Sequence, residues 1–241
     1  MDDLTFCVTA FERPAALTKL LSSVRARYPE TRIIVADQSF SPARTRSDVE
    51  DLTVDFDIGV AAARNLLLDR VETPFVMFLD DDFVFTRDTR VEELRQVLID
   101  HSDVDIAAGM VLSRGGREGH YEGLLEVDAD GVLRYRKGNR GHVDGMPIVD
   151  IAYNFFAART ERIREIRWDP ELKLAEHSEF FYRAKGRLKV VYRQTVKVAH
   201  PESVTPVYID FRARGIDYAR LFLRKHGLTA AVGFKGEELR A

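Results

Sequence analysis

The chain opens on Leu4-Thr5-Phe6-Cys7-Val8-Thr9-Ala10-Phe11, a β-rich run with no helical period, which predicts a first strand. Leu17, Leu20, Leu21 and Val24 then recur at i, i+3, i+4 and i+7, the apolar face of a helix whose first turn Pro14 suits. Arg32 to Ala36 predicts a short strand, and residues 38 to 51 are polar and turn-like. Ile58 to Val71 is helical in pattern, with Asp57 as its N-cap. Residues 74 to 79 predict a buried strand. Residues 87 to 101 predict a helix burying Val91, Leu94, Val97 and Leu98, and residues 105 to 111 a further strand. The order βαβαβαβ implies a mostly parallel sheet with helices on both faces.

The pattern then changes. Tyr121 to Tyr135 alternates around Asp128-Ala129-Asp130-Gly131 and reads as a hairpin. Residues 138 to 147 are rich in glycine and read as a mobile loop. Ile148 to Ala157 reads as a strand, Arg159 to Ile166 as a short helix, Trp168-Asp169-Pro170 as a turn, and 175 to 186 as a helix. Leu188 to Tyr192 and Val196 to His200 read as two strands, and 208 to 226 as a basic helical tail. The tail's Arg212, Arg214, Arg220, Arg224 and Lys225 fit a solvated helix by default; the sharper alternative is contact with an anionic acceptor or a membrane surface. No repeat, low-complexity tract or linker divides the chain. The expectation is one α/β domain with a small antiparallel element: a nucleotide-binding half over 1–113, an acceptor and catalytic half over 114–206, and the tail over 207–241.

Composition narrows this little. Of 241 residues, 45% are apolar and 31% charged, ordinary for a folded domain, and a net charge of −3 gives no global nucleic-acid footprint. The single cysteine, Cys7, cannot form an internal disulfide and reads as a small core residue. Met1-Asp2-Asp3-Leu4 starts no apolar signal segment and no apolar stretch approaches a membrane span, so a cytoplasmic location is expected.

Phe78-Leu79-Asp80-Asp81-Asp82-Phe83-Val84-Phe85 is the chemically loaded stretch. Two carboxylates about 6 Å apart at an effective dielectric of about 20 repel by about 3 kcal/mol. A run of three held between core segments needs an offset, and a divalent cation is the first candidate. In open α/β sheets ligands bind beyond the carboxyl ends of the strands. Three strands here end in polar residues, Thr9 to Glu12, Asp37 to Ser39 and Asp80 to Asp82. Strand alternation puts Asp80 and Asp82 on one side and Asp81 on the other. Two oxygen donors on one side suit Mg²⁺ or Mn²⁺ carrying a diphosphate.

These stretches resemble the GT-A fold glycosyltransferases, most closely the family 2-like enzymes, over about residues 4 to 200. Val8 to Pro14 is similar to that family's first strand and its exit beside base and ribose, which implies nucleotide contacts at Thr9, Phe11 and Glu12. Val35-Ala36-Asp37-Gln38-Ser39 resembles its VDDGS stretch and implies that Asp37 accepts the ring N–H of uracil. Gly59-Val60-Ala61-Ala62-Ala63-Arg64-Asn65 resembles its G-x-A-x-ARN helix, with Arg64 approaching the nucleotide. Leu79-Asp80-Asp81-Asp82 then matches the DXD motif: Asp82 on the metal, Asp80 near the ribose or the ion, Asp81 toward the donor sugar. Tyr153 to Thr160, Trp168 to Leu172 and Glu176 to Phe181 resemble the ganglioside-type N-acetylgalactosaminyltransferases and their bacterial relatives. That likeness implies His200, in Val198-Ala199-His200, as a further metal ligand. The departure is Glu176-His177, where many inverting members carry Glu-Asp with the Asp as base.

Sugar transfer needs a charge-stabilised leaving diphosphate, a base for the acceptor hydroxyl, and carboxylate charge near an oxocarbenium-like centre. Glu176 and Glu179 are i, i+3 neighbours on the 175–186 helix, with Arg183 one turn on; Glu179 is the first choice for the base and Glu176 the second. Asn154 is a candidate sugar contact, and Trp168 fits sugar stacking and core anchoring equally. The expectation is a metal-dependent, inverting glycosyltransferase using a UDP-sugar and an acceptor that is a glycan, a lipid-linked sugar or a small molecule. The alternative is a catalytically silent GT-A domain that binds nucleotide-sugar or glycan within a biosynthetic complex.

Overall fold

In the computed structural model, β1 (Leu4–Ala10) is buried along its whole length and lies between two parallel neighbours. The structure describes residues 1–43, 46–113, 123–201 and 203–241, and the backbone of 117–118. After β1 come α1 (Pro14–Arg25), β2 (Arg32–Asp37), β3 (Glu50–Leu52), α2 (Val60–Arg70), β4 (Phe75–Asp80), α3 (Val91–Asp100) and β5 (Ile106–Ser113). The second half comprises β6 (Arg117–Glu118), β7 (Gly123–Val127), β8 (Val132–Lys137), β9 (His142–Val143), β10 (Met146–Val149), β11 (Phe156–Arg159), α4 (Thr160–Ile166), α5 (Glu176–Ala184), β12 (Val190–Ala199), α6 (Pro206–Ala213), α7 (Gly215–Lys225), β13 (Ala230–Val232) and β14 (Glu238–Arg240).

The main sheet has the order β3-β2-β1-β4-β11-β5-β12-β10-β9. Strands β1 to β4 are mutually parallel where they pair, and β12 runs parallel to β5. Alternation along β1 divides the core. Phe6 and Val8 face α1 and α3, which bury Leu17, Leu20, Leu21, Val24 and Val91, Leu94, Val97, Leu98 as their spacing predicts. Cys7 faces the opposite layer, built from α2, Trp168 and α5. Burial pushes the Cys7 thiol far above its usual range, so it is an inert core group.

Several segments differ from their sequence reading. The 148–157 run is not one strand: β10 ends at Val149, Ile151 makes an isolated bridge to Gly123, and strand pairing in the sheet resumes at Phe156, in β11. That strand is inserted antiparallel between β4 and β5, because Phe156-Ala157-Ala158 is small and apolar enough to be buried between them. The 188–200 region is one strand, β12, with a register shift between Tyr192 and Lys197 that lets Gln194 and Thr195 reach solvent. Residues 138–147 are a tight turn system around β9 and β10, with positive φ at Gly138, Gly141 and Gly145. The tail is two helices, followed by β13 and β14, which join the β7–β8 hairpin in a second sheet of order β14-β13-β8-β7. Asp57 does not cap α2. Gly59 holds the cap position at φ 95°, where a Cβ would lie 2.8 Å from the Lys173 Cα, and the carboxylate of Asp57 pairs with Lys173 and Arg214 instead. Among the described residues no helix is long and apolar enough to cross a membrane.

Candidate active site

Parallel register brings the predicted strand ends together. Thr9 stands opposite Asp80 on one side and Ala36 on the other, and Ala10 stands opposite Asp37. Beyond this edge lies a cleft of about 460 Å³, which Thr9, Phe11, Arg64, Asp80, Asp82, Asn154, Glu176 and His200 all line. A larger cavity of about 620 Å³ sits at the opposite end of the sheet. Its acids are all engaged by its own cations, Asp105 by Arg162 at 2.9 Å, Asp150 by Arg140 at 2.7 Å and Asp103 by Lys189, and it holds no group that the chemistry needs.

The offset for the three aspartates is first of all internal. Arg13, buried just after β1, donates from Nη1 to Asp82 Oδ2 at 2.7 Å and from Nη2 to Asp81 Oδ1. It also stacks on the Tyr208 ring of α6 at 3.8 Å and donates to the Ser203 carbonyl at 3.0 Å. Arg64, also buried, bridges Asp80 at 3.3 Å and Glu176 at 2.9 Å. Four carboxylates thus face two bridging guanidiniums, with a third cation, Arg212, on the cleft wall. Arg13 was not singled out in the sequence; the signal was a lone cation at the strand exit opposite three acids.

Each aspartate has its own environment. Burial pushes Asp81 up to about 7 against the pull of Arg13, and its carboxylate is turned to Arg13 and the Phe11 amide. It is a counter-ion within the wall rather than the donor-sugar contact expected of it. Burial also raises Asp80, helped by repulsion from Asp82 and opposed by Arg64, and Asp80 Oδ1 accepts from Asn154 Nδ2 at 2.6 Å. Asp82 goes the other way: burial would raise it, but the His200 hydrogen bond and the charge of Arg13 hold it below the ordinary carboxylate range.

No three His, Cys, Asp or Glu side chains among the described residues form a ready-made metal cluster. The expected trio is not assembled: Asp80 Oδ1 is taken by Arg64 and Asn154, which leaves the pair of Asp82 and His200, with Asp82 Oδ2 also bound by Arg13. The pair itself fits. Asp82 Oδ2 and His200 Nε2 lie 3.1 Å apart. Adjacent ligands of an octahedral ion at about 2.1 Å are separated by about 3 Å. The hydrogen bond from His200 and the charge of Arg13 favour the ionised form of Asp82, and a cation bound there would share its carboxylate with both.

The base candidates separate. Glu179 is 1% exposed, but it faces away from the cleft, bound to Arg183 and 3.0 Å from His226 Nε2. It ties α5 to the end of α7 and does not line the cleft. Glu176 opens the helix and lines the cleft; burial raises its carboxyl above the usual range, with Arg64 opposing and Asp80 adding to the rise. Beside it His177 also lines the cleft. Its ring is pushed down to about 3 by burial and by Arg64, and a ring N–H donates to the Ala152 carbonyl, so it is a neutral imidazole.

Other predicted residues are placed less directly. Trp168 is stacked on Phe180 at 4.8 Å and edge-on to Phe78 at 4.7 Å, a core anchor and not a sugar platform. Glu12 is outside the cleft wall: at φ 53° its carboxylate accepts the Phe40 amide and its own amide donates to Ser39 Oγ, which braces the loop after β2. Asp37 braces the same loop through the amides of Ser39 at 3.1 Å and Ala43 at 2.8 Å and the Ser39 hydroxyl. The tail contributes a wall of the cleft. Phe211 packs on Phe11 at 4.5 Å and the exposed Arg212 lines the cleft, while Arg214 and Lys225 are consumed by Asp57 and Asp169. Periodicity placed these tail residues on a helix but could not show what the helix packs against.

The sequence profile of glycosyl transferase family 2 matches residues 5–167. The chain belongs to that family. This member is 35% identical over 226 residues to human β-1,4 N-acetylgalactosaminyltransferase 1, an alignment covering 90% of the chain and 42% of that protein. It is 36% identical over 208 residues to mouse β-1,4 N-acetylgalactosaminyltransferase 2, covering 84% and 40%. The chain thus spans about two fifths of the length of these relatives. Among solved structures, S. aureus TarS 1–349 in complex with UDP-GlcNAc superposes with a TM-score of 0.65 at 17% identity, over 93% of this chain and 66% of that one. A second structure of S. aureus TarS 1–349 gives 0.63 at 17%, covering 93% and 65%. The GT-A architecture expected from the sequence is therefore the fold of this family member, while the antiparallel strand inserted in the sheet was not foreseen.

Proposed function

We propose that this protein transfers a sugar, an N-acetylhexosamine in the first instance, from its UDP derivative to an acceptor hydroxyl, with inversion and with help from a divalent cation. The observation that carries the reading is the convergence of Asp80, Asp82, His200 and Glu176 on one cleft at the carboxyl edge of the sheet in a family 2 chain. The names of the relatives and the UDP-GlcNAc complex of TarS support the choice of donor.

Asp82 and His200 would hold Mn²⁺ or Mg²⁺, which supplies charge neutralisation to a diphosphate leaving group. Thr9 and Phe11 offer the wall for the nucleoside. Asp37 has at least three of about four acceptor sites filled by its loop and retains capacity for the uracil ring N–H. Asn154, whose Nδ2 is fixed by Asp80, has a buried Oδ1 with no hydrogen-bond partner among the described residues, an acceptor for a donor-sugar hydroxyl. Glu176 takes the acceptor's proton: its raised affinity for a proton makes it a stronger base than a solvated carboxylate, while Arg64 keeps it ionised beforehand. His177, neutral and fixed by Ala152, accepts a hydrogen bond and orients the incoming hydroxyl.

The test is UDP release from UDP-N-acetylhexosamines with Mn²⁺, with and without EDTA, in the wild type and in Asp82→Ala. Turnover that needs the metal and is lost in the variant supports the reading. Turnover unchanged by EDTA and by Asp82→Ala overturns the metal assignment. UDP binding with no release under any acceptor tried favours the silent-domain alternative, for which histidine at position 177 is the motivating feature.

A further inference from the structure

Gln38 follows Asp37 directly at the end of β2 and is 1% exposed. It stands where the family stretch it resembles carries glycine. Its Oε1 accepts the Gly59 amide at 2.8 Å. That bond fixes the orientation of the carboxamide, since only the oxygen can face an N–H. Nε2 must then point the other way. It is buried and has no hydrogen-bond partner among the described residues, although Gln38 lines the cleft. A buried donor without an acceptor is costly, and such a group at a binding site calls for a ligand atom that completes it.

Position selects the kind of atom. The Gln38 amide bonds to the Ala10 carbonyl on β1, and Thr9 of β1 stands opposite Asp80 of β4. Gln38 is thus two strand spacings, about 10 Å, from the acidic run. That is about the reach from a nucleotide's diphosphate to its base. An N–H here meets only an acceptor, and a 2,4-dioxopyrimidine carries a carbonyl on each side of its ring N–H. We infer that the carboxamide nitrogen of Gln38 donates to a pyrimidine carbonyl of the nucleotide donor, beside Asp37, and so helps to select the base. This rests on the donor reading above.

The test is calorimetric titration of the wild-type protein with UDP, 2-thio-UDP, 4-thio-UDP and inorganic diphosphate, and of Gln38→Met with UDP and inorganic diphosphate. Sulfur is a poor acceptor, so one of the two thio analogues should bind at least fivefold more weakly than UDP. Gln38→Met should lose about tenfold for UDP and nothing for inorganic diphosphate. The inference is overturned if both thio analogues bind like UDP, as a water on Nε2 would allow, or if UDP and diphosphate weaken together in the variant. Should Gln38→Met not fold, the analogue comparison on the wild type decides alone. A wild type that binds no UDP sinks the donor reading itself, whereas UDP binding indifferent to the carbonyls sinks only this one.

Discussion

Replacing Arg13 by methionine isolates the role of the internal cation. The substitution keeps the length of the stem over Tyr208 and removes the charge that Asp81 and Asp82 share. Asp81 is 1% exposed, so it cannot turn to water for compensation. Removing one partner of a buried pair costs about 3–5 kcal/mol. For a chain of this size each kcal/mol lowers the melting temperature by about 2–4 °C, so a drop of about 6–20 °C is expected at pH 8.5. The loss should shrink with acid. In the wild type Asp81 is raised to about 7, so the folded state binds more protons than the unfolded one between about pH 4 and 7, and this group's contribution falls as pH rises through that window. Without Arg13 the carboxyl moves higher still, and the window extends upward. A protonated Asp81 needs no counter-ion, so at pH 5 the deficit should be less than half that at pH 8.5. Scanning calorimetry at both pH values measures it. A variant melting within about 2 °C of the wild type at pH 8.5, or one with the larger deficit at pH 5, would refute the argument.

Glu176→Gln should lower transfer by about 10²–10⁴-fold while UDP binding persists, and unchanged turnover would remove it as base. Glu179→Gln should behave oppositely, losing about 2 kcal/mol of stability as Arg183 and His226 lose their carboxylate, with kcat within about twofold. Trp168→Leu should cost about 3 kcal/mol in a denaturant melt and leave the donor KM alone; a selective rise in KM would restore its role as a sugar platform.

The helices α1 and α3 were legible because apolar residues at i, i+3, i+4 and i+7 admit one buried face, and the strand into Asp80 because nothing but a buried β run fits Phe75 to Leu79. The convergence at the sheet edge followed from parallel order alone. What was not legible is who meets whom. Spacing put Glu176 and Glu179 on one face of α5, yet one borders the cleft and the other is drawn beneath by His226, 47 residues on. Charge repulsion in the acidic run pointed to a divalent cation, but local pattern could not show that Arg13 already offsets it, because that contact depends on where α1 starts relative to β4. Trp168 was undecided for the same reason: an aromatic before a proline packs wherever Phe78 and Phe180 leave room.

The inserted strand β11 has a consequence for how the chain is made. Until Phe156 to Arg159 has left the ribosome, β4 and β5 each present a naked peptide edge, since neither bonds to the other. A nascent fragment ending near residue 113 therefore carries open strand edges, the kind that template pairing with other chains.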